Sequence, residues 1–408
     1  MTAALTSVKE TPALNLGGRI PELDGLRGIA IGMVLIWHLY VGCIEPIPGS
    51  TLAYLHAAGR MTWSGVDLFF VLSGFLIGGI LLDNREATNY FKVFYTRRFF
   101  RIIPAYIISV CAFYVLMRLV ENGTAWKLAF LSSLNTLPWA PNFFFLQNFW
   151  MAIKNTSGIL VITWSLCIEE QFYLTLPWLV RLLSPKRLTG AVCAVILAAP
   201  VLRVALIFLC PGHRWAGYVL LPCRADTLML GVLGAIAVRD SRCRAWLQSN
   251  RASMRGILIV LTLGVLFLEK FAYFYTSIGM QTVGYTWLAL FYLCVLLYAL
   301  AAGRGLLSRF LRWEPLGWLG TIAYGVYLYH MFVIWIVFGT FYSYWPRIRN
   351  MQGLVASFLA LLVLLTLARI SWSYFEKPLL RLGHRMHYQF DALTKQPSIL
   401  VAEPERST

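Results

Sequence analysis

Long apolar runs recur along the whole chain, and nothing else in the sequence restricts its folding so strongly. They fall at about residues 26–45, 62–83, 102–120, 128–149, 161–183, 189–209, 217–238, 256–276, 283–301, 316–340 and 353–375. Each approaches the roughly 20 residues that a helix needs to cross the hydrocarbon core of a bilayer. Hydrophobic residues are 59% of the 408 positions, so about 240 side chains must leave water, which is enough for ten or eleven such spans. Charged residues are only 13%, which excludes a disordered chain, a coiled coil or a small disulfide scaffold. A membrane β-barrel would alternate apolar and polar residues in segments of about ten, and these runs do not alternate. The fold class expected is all-α: a polytopic transmembrane helical bundle.

Loop charge orders the spans. The run at 128–149 is interrupted at its centre by Ser132, Ser133, Asn135, Pro138, Pro141 and Asn142, which free backbone groups that lipid cannot satisfy. With Lys92, Arg97, Arg98 and Arg101 on the cytoplasmic side, a crossing at 128–149 would put three later basic clusters outside. Those clusters are Lys186–Arg187, the arginines between 239 and 255, and Arg304, Arg309 and Arg312. Leaving it out brings all three inside, as lysine and arginine bias requires. About ten spans are therefore expected, with both termini cytoplasmic. The division is a cytoplasmic tail at 1–20, a bundle at 21–380 with an extracytoplasmic segment at 121–160, and a cytoplasmic tail at 381–408. Arg347 and Arg349 then fall outside, against the rule. No leader is expected in residues 1–20, which lack an apolar stretch and a cleavage pattern. The +17 net charge is read as topology and contact with membrane lipids, not as nucleic-acid binding. The eight cysteines have no paired metal-type spacing and no metal is expected.

Ionisable groups inside spans are costly, so each is a candidate functional residue. In LDGLRGIAIGMVLIWHLY, Arg27 and His38 are eleven residues apart, about 16 Å of helical rise and close to three turns, and so share a face. They pair an anion-binding cation with a side chain suited to general-base work, or are a snorkelling arginine and a packed histidine. In GVDLFFVLSGFLIGGILL, Asp67 needs a cation or donor, as an ion pair or as a catalytic group; Ser73 lies one turn and a half further, and Gly74 and Gly78 suit close helix packing. In YTRRFFRIIP, Arg97, Arg98 and Arg101 stand at the membrane surface just before the third span. They anchor headgroups, or Arg98 and Arg101, at i and i+3, form a fork for the phosphates of a nucleotide-bearing donor. In TWSLCIEEQFYLTLPWLV, Glu169 and Tyr173 share a face while Glu170 points about 100° away. Glu169 suits orienting an imidazole or moving a proton. Arg224 and Asp226, two apart, cannot face each other and need other partners; Tyr327 and His330 lie at i, i+3, with His330 a second titrating group or a hydrogen-bonded core residue.

Taken together, LDGLRGIAIGMVLIWH, GVDLFFVLSGFLI, YTRRFFRIIP, TWSLCIEEQFY, RADTLMLG and AYGVYLYH resemble the acyltransferase 3 family of bacterial membrane O-acyltransferases, over roughly residues 20 to 380. The resemblance aligns the family's first-span arginine and histidine with Arg27 and His38, its basic motif with Arg97, Arg98 and Arg101, and its WSL-x-x-E motif with Trp164, Ser165 and Glu169. Ala323 departs from a serine of many relatives. The sequence ends soon after its last span, so a fused extracytoplasmic hydrolase-like domain is expected to be absent.

The resemblance implies a protein of the bacterial inner membrane with acyl-CoA, most often acetyl-CoA, as co-substrate and no bound cofactor. Arg27, Arg97, Arg98 and Arg101 would bind that donor. His38 would be general base or transient acyl carrier, with Glu169 tuning it or binding the acceptor. The acceptor would be a hydroxyl of a cell-surface or lipid-linked glycan, with Asp67, Ser73, Trp164, Ser165, Tyr173, Arg224, Asp226, Tyr327 and His330 as supporting or acceptor-binding candidates. A small secondary metabolite is an alternative acceptor. A transporter or flippase for an anionic or lipid-linked substrate, or a non-catalytic scaffold in polysaccharide export, would explain the same buried charges differently.

Overall fold

The computed structural model of the protein describes residues 20–391 apart from 47, 135–137, 156–158, 302, 304, 343 and 344. Most of the two expected tails, at 1–19 and 392–408, lies outside the described residues. Ten long helices carry the bundle: α1 Pro21–Ile36, α2 Gly65–Asp83, α3 Tyr90–Glu121, α4 Trp164–Leu182, α5 Pro185–Leu209, α6 Leu221–Ala237, α7 Arg251–Ala272, α8 Tyr285–Ala301, α9 Ala323–Tyr342 and α10 Met351–Ser371. Nine helical stretches among the described residues are long and apolar enough to cross a membrane. The tenth, α4, has the length, at 19 residues. It falls short only in apolarity, because it carries Glu169, Glu170 and Arg181.

Helix starts follow local chemistry. Pro21 and Pro185 occupy first-turn positions of α1 and α5, where a missing N–H costs nothing, and Glu22 and Asp24 complement the α1 dipole. The Asn350 side chain caps α10 by accepting from Gly353 N at 3.1 Å.

Several boundaries depart from the apolar pattern. The third helix begins twelve residues before its apolar run and passes through Pro104 without breaking, so Arg97, Arg98 and Arg101 lie inside it. Hydropathy registers only the part that meets lipid, whereas Tyr90–Arg101 is a sequence that any helix tolerates. The run at 316–340 is split into a short helix, Glu314–Thr321, and α9. Wide i→i+5 turns extend α1 at Trp37–Val41, precede α8 at Met280–Gly284 and follow α10 at Trp372–Glu376, before a last helix, Lys377–His384.

The interrupted run at 128–149 makes no crossing helix. It forms short pieces, Trp126–Leu134, Trp139–Phe143 and Gln147–Lys154. Its polar residues bind the bundle instead: Gln147 Nε2 donates to Tyr106 OH at 3.0 Å and Thr163 Oγ1 at 2.8 Å, and Asn148 Nδ2 donates to the Val219 carbonyl at 3.1 Å. Of the residues that disqualify the run as a span, Asn142 also joins the bundle, its carbonyl accepting from Tyr106 OH at 2.7 Å.

Two close crossings fix the bundle around the future site. A Cβ on Gly74 of α2 would stand 1.9 Å from the Leu228 carbonyl oxygen of α6, and one on Gly231 would stand 2.2 Å from that of Val71. α1 meets the Glu314–Thr321 helix as tightly, a Cβ on Gly320 falling 2.0 Å from the Asp24 carbonyl oxygen. Close backbone approach is what small residues contribute in lipid.

Loop 42–50 is clasped to loop 345–350. Ile44 and Ile348 form a parallel bridge, Ile348 N donates to the Cys43 carbonyl at 2.7 Å, and Arg347 and Arg349 both pair with Glu45. The hydrogen bond from Arg349, with the charges of both arginines, holds the Glu45 carboxyl below the usual carboxylate range. The two arginines that break the loop-charge rule share one carboxylate.

Candidate active site

A cavity of about 410 Å³ runs along α2, closed by α1, α3, α4, α9, the Glu314–Thr321 helix and the Trp372–Glu376 turn. Its lining on α2 extends from Val66 to Ile77, about 16 Å of rise.

One end is basic. Arg27, Arg98 and Arg101 line it together with Asp24 and Glu376. Arg27 Nη1 donates to Asp24 Oδ1 at 3.2 Å, which orients the guanidinium from one turn before it. Arg97 is turned away: its Nε and Nη2 donate to the Met386 carbonyl at 3.1 and 2.6 Å, and its guanidinium lies 5.2 Å from the Tyr388 ring centroid. Its expected grouping with the other three arginines is therefore corrected. Inside a helix, Arg97 and Arg98 diverge by about 100°, so the tail segment takes the first and the cavity the second.

Midway along, Glu169 joins α4 to α2. Its Oε1 accepts from Ser73 Oγ at 2.6 Å and its Oε2 from Tyr173 OH at 3.1 Å. The Ser73 and Tyr173 hydroxyls are also 3.4 Å apart. In this geometry Glu169 is bonded to two hydroxyls, and among the described residues no hydrogen bond joins it to His38 or His330.

At the other end stand Ser165 and Tyr327, their hydroxyls 2.6 Å apart. Tyr327 OH donates to the Ile162 carbonyl, so its oxygen is the acceptor for Ser165. Just beyond, outside the cavity lining, the rings of His38 and His330 meet with centroids 4.8 Å apart. His38 Nδ1 is 2.9 Å from the Val34 carbonyl and His330 Nδ1 is 2.7 Å from the Tyr327 carbonyl. A carbonyl can only accept, so in both rings Nδ1 holds the proton and Nε2 carries the free lone pair. His330 is fully buried and its Nε2 has no hydrogen-bond partner among the described residues.

The sequence candidates therefore divide. Arg27, Ser73, Arg98, Arg101, Ser165, Glu169, Tyr173 and Tyr327 line one cavity, as does Ala323. His38 and His330, from the first and ninth long helices, sit at its end. Asp67, Arg224, Asp226 and Trp164 belong to a separate buried cluster. There Asp67 pairs with Arg224, whose guanidinium lies 3.7 Å over the Tyr285 ring, and Trp164 packs on Tyr218 at 4.3 Å. Asp226 pairs with Arg203 of α5, Nη2 to Oδ2 at 2.9 Å, and Arg203 also donates to Thr286 Oγ1 at 2.8 Å.

Sequence reasoning missed Arg203 and the cavity-lining Asp24, Tyr324 and Glu376. A lone arginine within the apolar stretch VLRVALIFL was itself the available signal. Asp24 and Glu376 sit at the rims of spans, where a carboxylate attracts no notice. Among the described residues no group of His, Cys, Asp and Glu is placed to hold a metal ion.

Comparison with known proteins places this geometry. The family described as an acyltransferase domain matches residues 20–372. The peptidoglycan O-acetyltransferase OatA of Listeria monocytogenes is 28% identical over 383 residues, covering 89% of this chain and 56% of the relative. The O-acetyltransferase OatA of Staphylococcus aureus is 25% identical over 390 residues, covering 90% of this chain and 58% of the relative. The chain thus spans little more than half the length of these relatives. No solved structure matches it.

Proposed function

The chain belongs to the acyltransferase family matched over residues 20–372, and on that premise we propose that it moves an acetyl group from cytoplasmic acetyl-CoA to a hydroxyl of a cell-surface or lipid-linked glycan. The proposed setting is a bacterial inner membrane, with both chain ends cytoplasmic and residues 121–160 outside. The observation that carries the reading is a single cavity with three arginines at one end and, just past the Ser165–Tyr327 pair that lines the other end, two imidazoles whose Nδ1 atoms are held by backbone carbonyls.

Donor phosphates lie on Arg27, Arg98 and Arg101, which guanidinium geometry favours. The thioester arm extends along α2, past the Ser73–Glu169–Tyr173 hydroxyl and carboxyl group, towards Ser165 and Tyr327. His38 Nε2 takes the proton of the acceptor hydroxyl, the oxygen attacks the thioester carbonyl, the C–O bond forms as the C–S bond breaks, and the thiolate recovers the proton. The Val34 carbonyl holds the tautomer this requires and helps stabilise the transient imidazolium. General-base catalysis of this kind contributes about 10²–10⁴-fold.

The test is transfer of labelled acetyl from acetyl-CoA to the glycan fraction of membranes carrying the wild-type chain, with His38→Ala beside it. Label with wild type and at least about a hundredfold less with the variant is the expected result. Equal label in both removes His38 from the mechanism. No label in either, from membranes where the chain is abundant and folded, refutes the donor and acceptor assignment.

A further inference from the structure

A second cavity, of about 470 Å³, lies between α3 and α4 on the outer side of the first. Phe99, Ile103 and Leu174 form its apolar walls, and Phe99 and Leu174 are 52% and 60% exposed on the face the bundle turns to lipid. Arg98 and Tyr173 line both cavities and so form the partition between them. Glu170, which the acyl-transfer site does not use, is the acidic group of the second one.

Two buried polar atoms of this cavity lack partners among the described residues, Glu170 Oε1 and Arg98 Nε. An unmade hydrogen bond of a buried group costs more than a typical bond contributes, and more still for a charged group. A ligand that enters the cavity from outside the chain can supply the partner each of them lacks. It has to offer an anion to Arg98, an N–H or O–H to Glu170, and an apolar tail to Phe99, Ile103 and Leu174. A free nucleotide has no such tail, and a hydrocarbon chain alone has no such head.

We propose that this cavity is a binding site for a bilayer phospholipid whose headgroup carries a hydrogen-bond donor, with its phosphate on Arg98 Nε and its ammonium or glycerol hydroxyl on Glu170 Oε1. Phosphatidylethanolamine and phosphatidylglycerol meet these requirements. Phosphatidylcholine does not, because its nitrogen is fully methylated and donates nothing. Since Arg98 also lines the acyl-transfer cavity, the lipid fixes one edge of a guanidinium whose other edge faces that cavity. The site itself does not depend on the proposed reaction, and its test reads lipid alone.

The experiment is native mass spectrometry of the purified full chain, delipidated and then exposed to equal amounts of the three phospholipids. Wild type is expected to retain phosphatidylethanolamine and phosphatidylglycerol about tenfold over phosphatidylcholine, the order of one hydrogen bond to a charged group. Glu170→Leu should abolish the preference. Glu170→Gln, which keeps the size and an acceptor oxygen but not the charge, should lose phosphatidylethanolamine while keeping phosphatidylglycerol. Equal retention of all three lipids by wild type, or an unchanged preference in a Glu170→Leu chain that unfolds at the wild-type temperature, overturns the proposal. So does displacement of the phospholipids by a polyprenyl phosphate, which would make the cavity a port for a lipid-borne substrate.

Discussion

Asp67 was open to two readings from the sequence, ion-pair member or catalytic group, and its pairing with Arg224 turns the choice into a measurable free energy. Both side chains are buried, at 1% and 0% exposure, so removing either leaves an uncompensated charge inside the bundle. Breaking a buried pair costs about 3–5 kcal/mol. A charge at the centre of a membrane helix costs about 2.5–3.5 kcal/mol. The ranges overlap near 3 kcal/mol, about a two-hundredfold change in the folded-to-unfolded ratio. The pair is also imperfectly satisfied, since Asp67 Oδ2 and Arg224 Nε and Nη1 find no hydrogen-bond partner among the described residues, so replacing both charges should recover most of the loss. Cys167 and Cys223 are buried, so in a background where the more exposed Cys111, Cys193, Cys210, Cys243 and Cys294 are replaced by serine they report unfolding to a thiol dye. Asp67→Asn and Arg224→Met should each unfold at markedly lower temperature in detergent, and the double variant should return close to wild type with acyl transfer retained. Single variants as stable as wild type would refute the energetic argument. A stable double variant without activity would refute the structural reading of Asp67.

Charge-neutral replacements of Arg98 and Arg101 should raise the KM for acetyl-CoA while the acceptor KM moves little, whereas Arg97→Gln should leave both unchanged and speed proteolysis near Met386; the reverse assignment would exclude the cavity as the donor site. Glu45 has a depressed folded pKa, so the stability it contributes exists above the unfolded value of about 4.3 and is lost as pH falls through the folded one. Hydrogen exchange at Ile348 N–H should therefore accelerate as pH drops from 7 to below about 4, after correction for intrinsic rates, and Glu45→Gln should show the faster exchange already at pH 7. A profile that is flat in wild type would remove the clasp. A cysteine placed at Asn155 in a chain without other reactive thiols should be labelled from outside intact cells; labelling only from the cytoplasmic side would refute the proposed topology.

Helix number was legible because lipid imposes one requirement, about 20 apolar residues, that can be counted along a chain. The exclusion of 128–149 was legible too, since two prolines and four small polar residues cannot serve inside lipid. Partners were not. Arg224 had to pair with something, but nothing in its spacing points to Asp67, more than 150 positions earlier. Glu169 shows the limit most clearly: α-helical periodicity gave its neighbour Tyr173, while Ser73, on another helix, is a partner that no spacing names. Arg97 and Arg98 look equivalent in the sequence because the segment that separates their roles, around Met386, lies almost three hundred residues away.

The contact between His38 and His330 joins the first long helix to the ninth, and this has a consequence for how the protein is made. At synthesis rates of about 5–20 residues per second, roughly 15 to 60 seconds separate the two histidines as they leave the ribosome. Throughout that interval the early helix is in the membrane with its imidazole facing no second ring, and Arg27 and Arg98 are present before the walls contributed by α9 and the Trp372–Glu376 turn. The nascent chain therefore lacks two walls of the cavity until late in synthesis. The cavity is complete only when the last fifth of the polypeptide has been inserted.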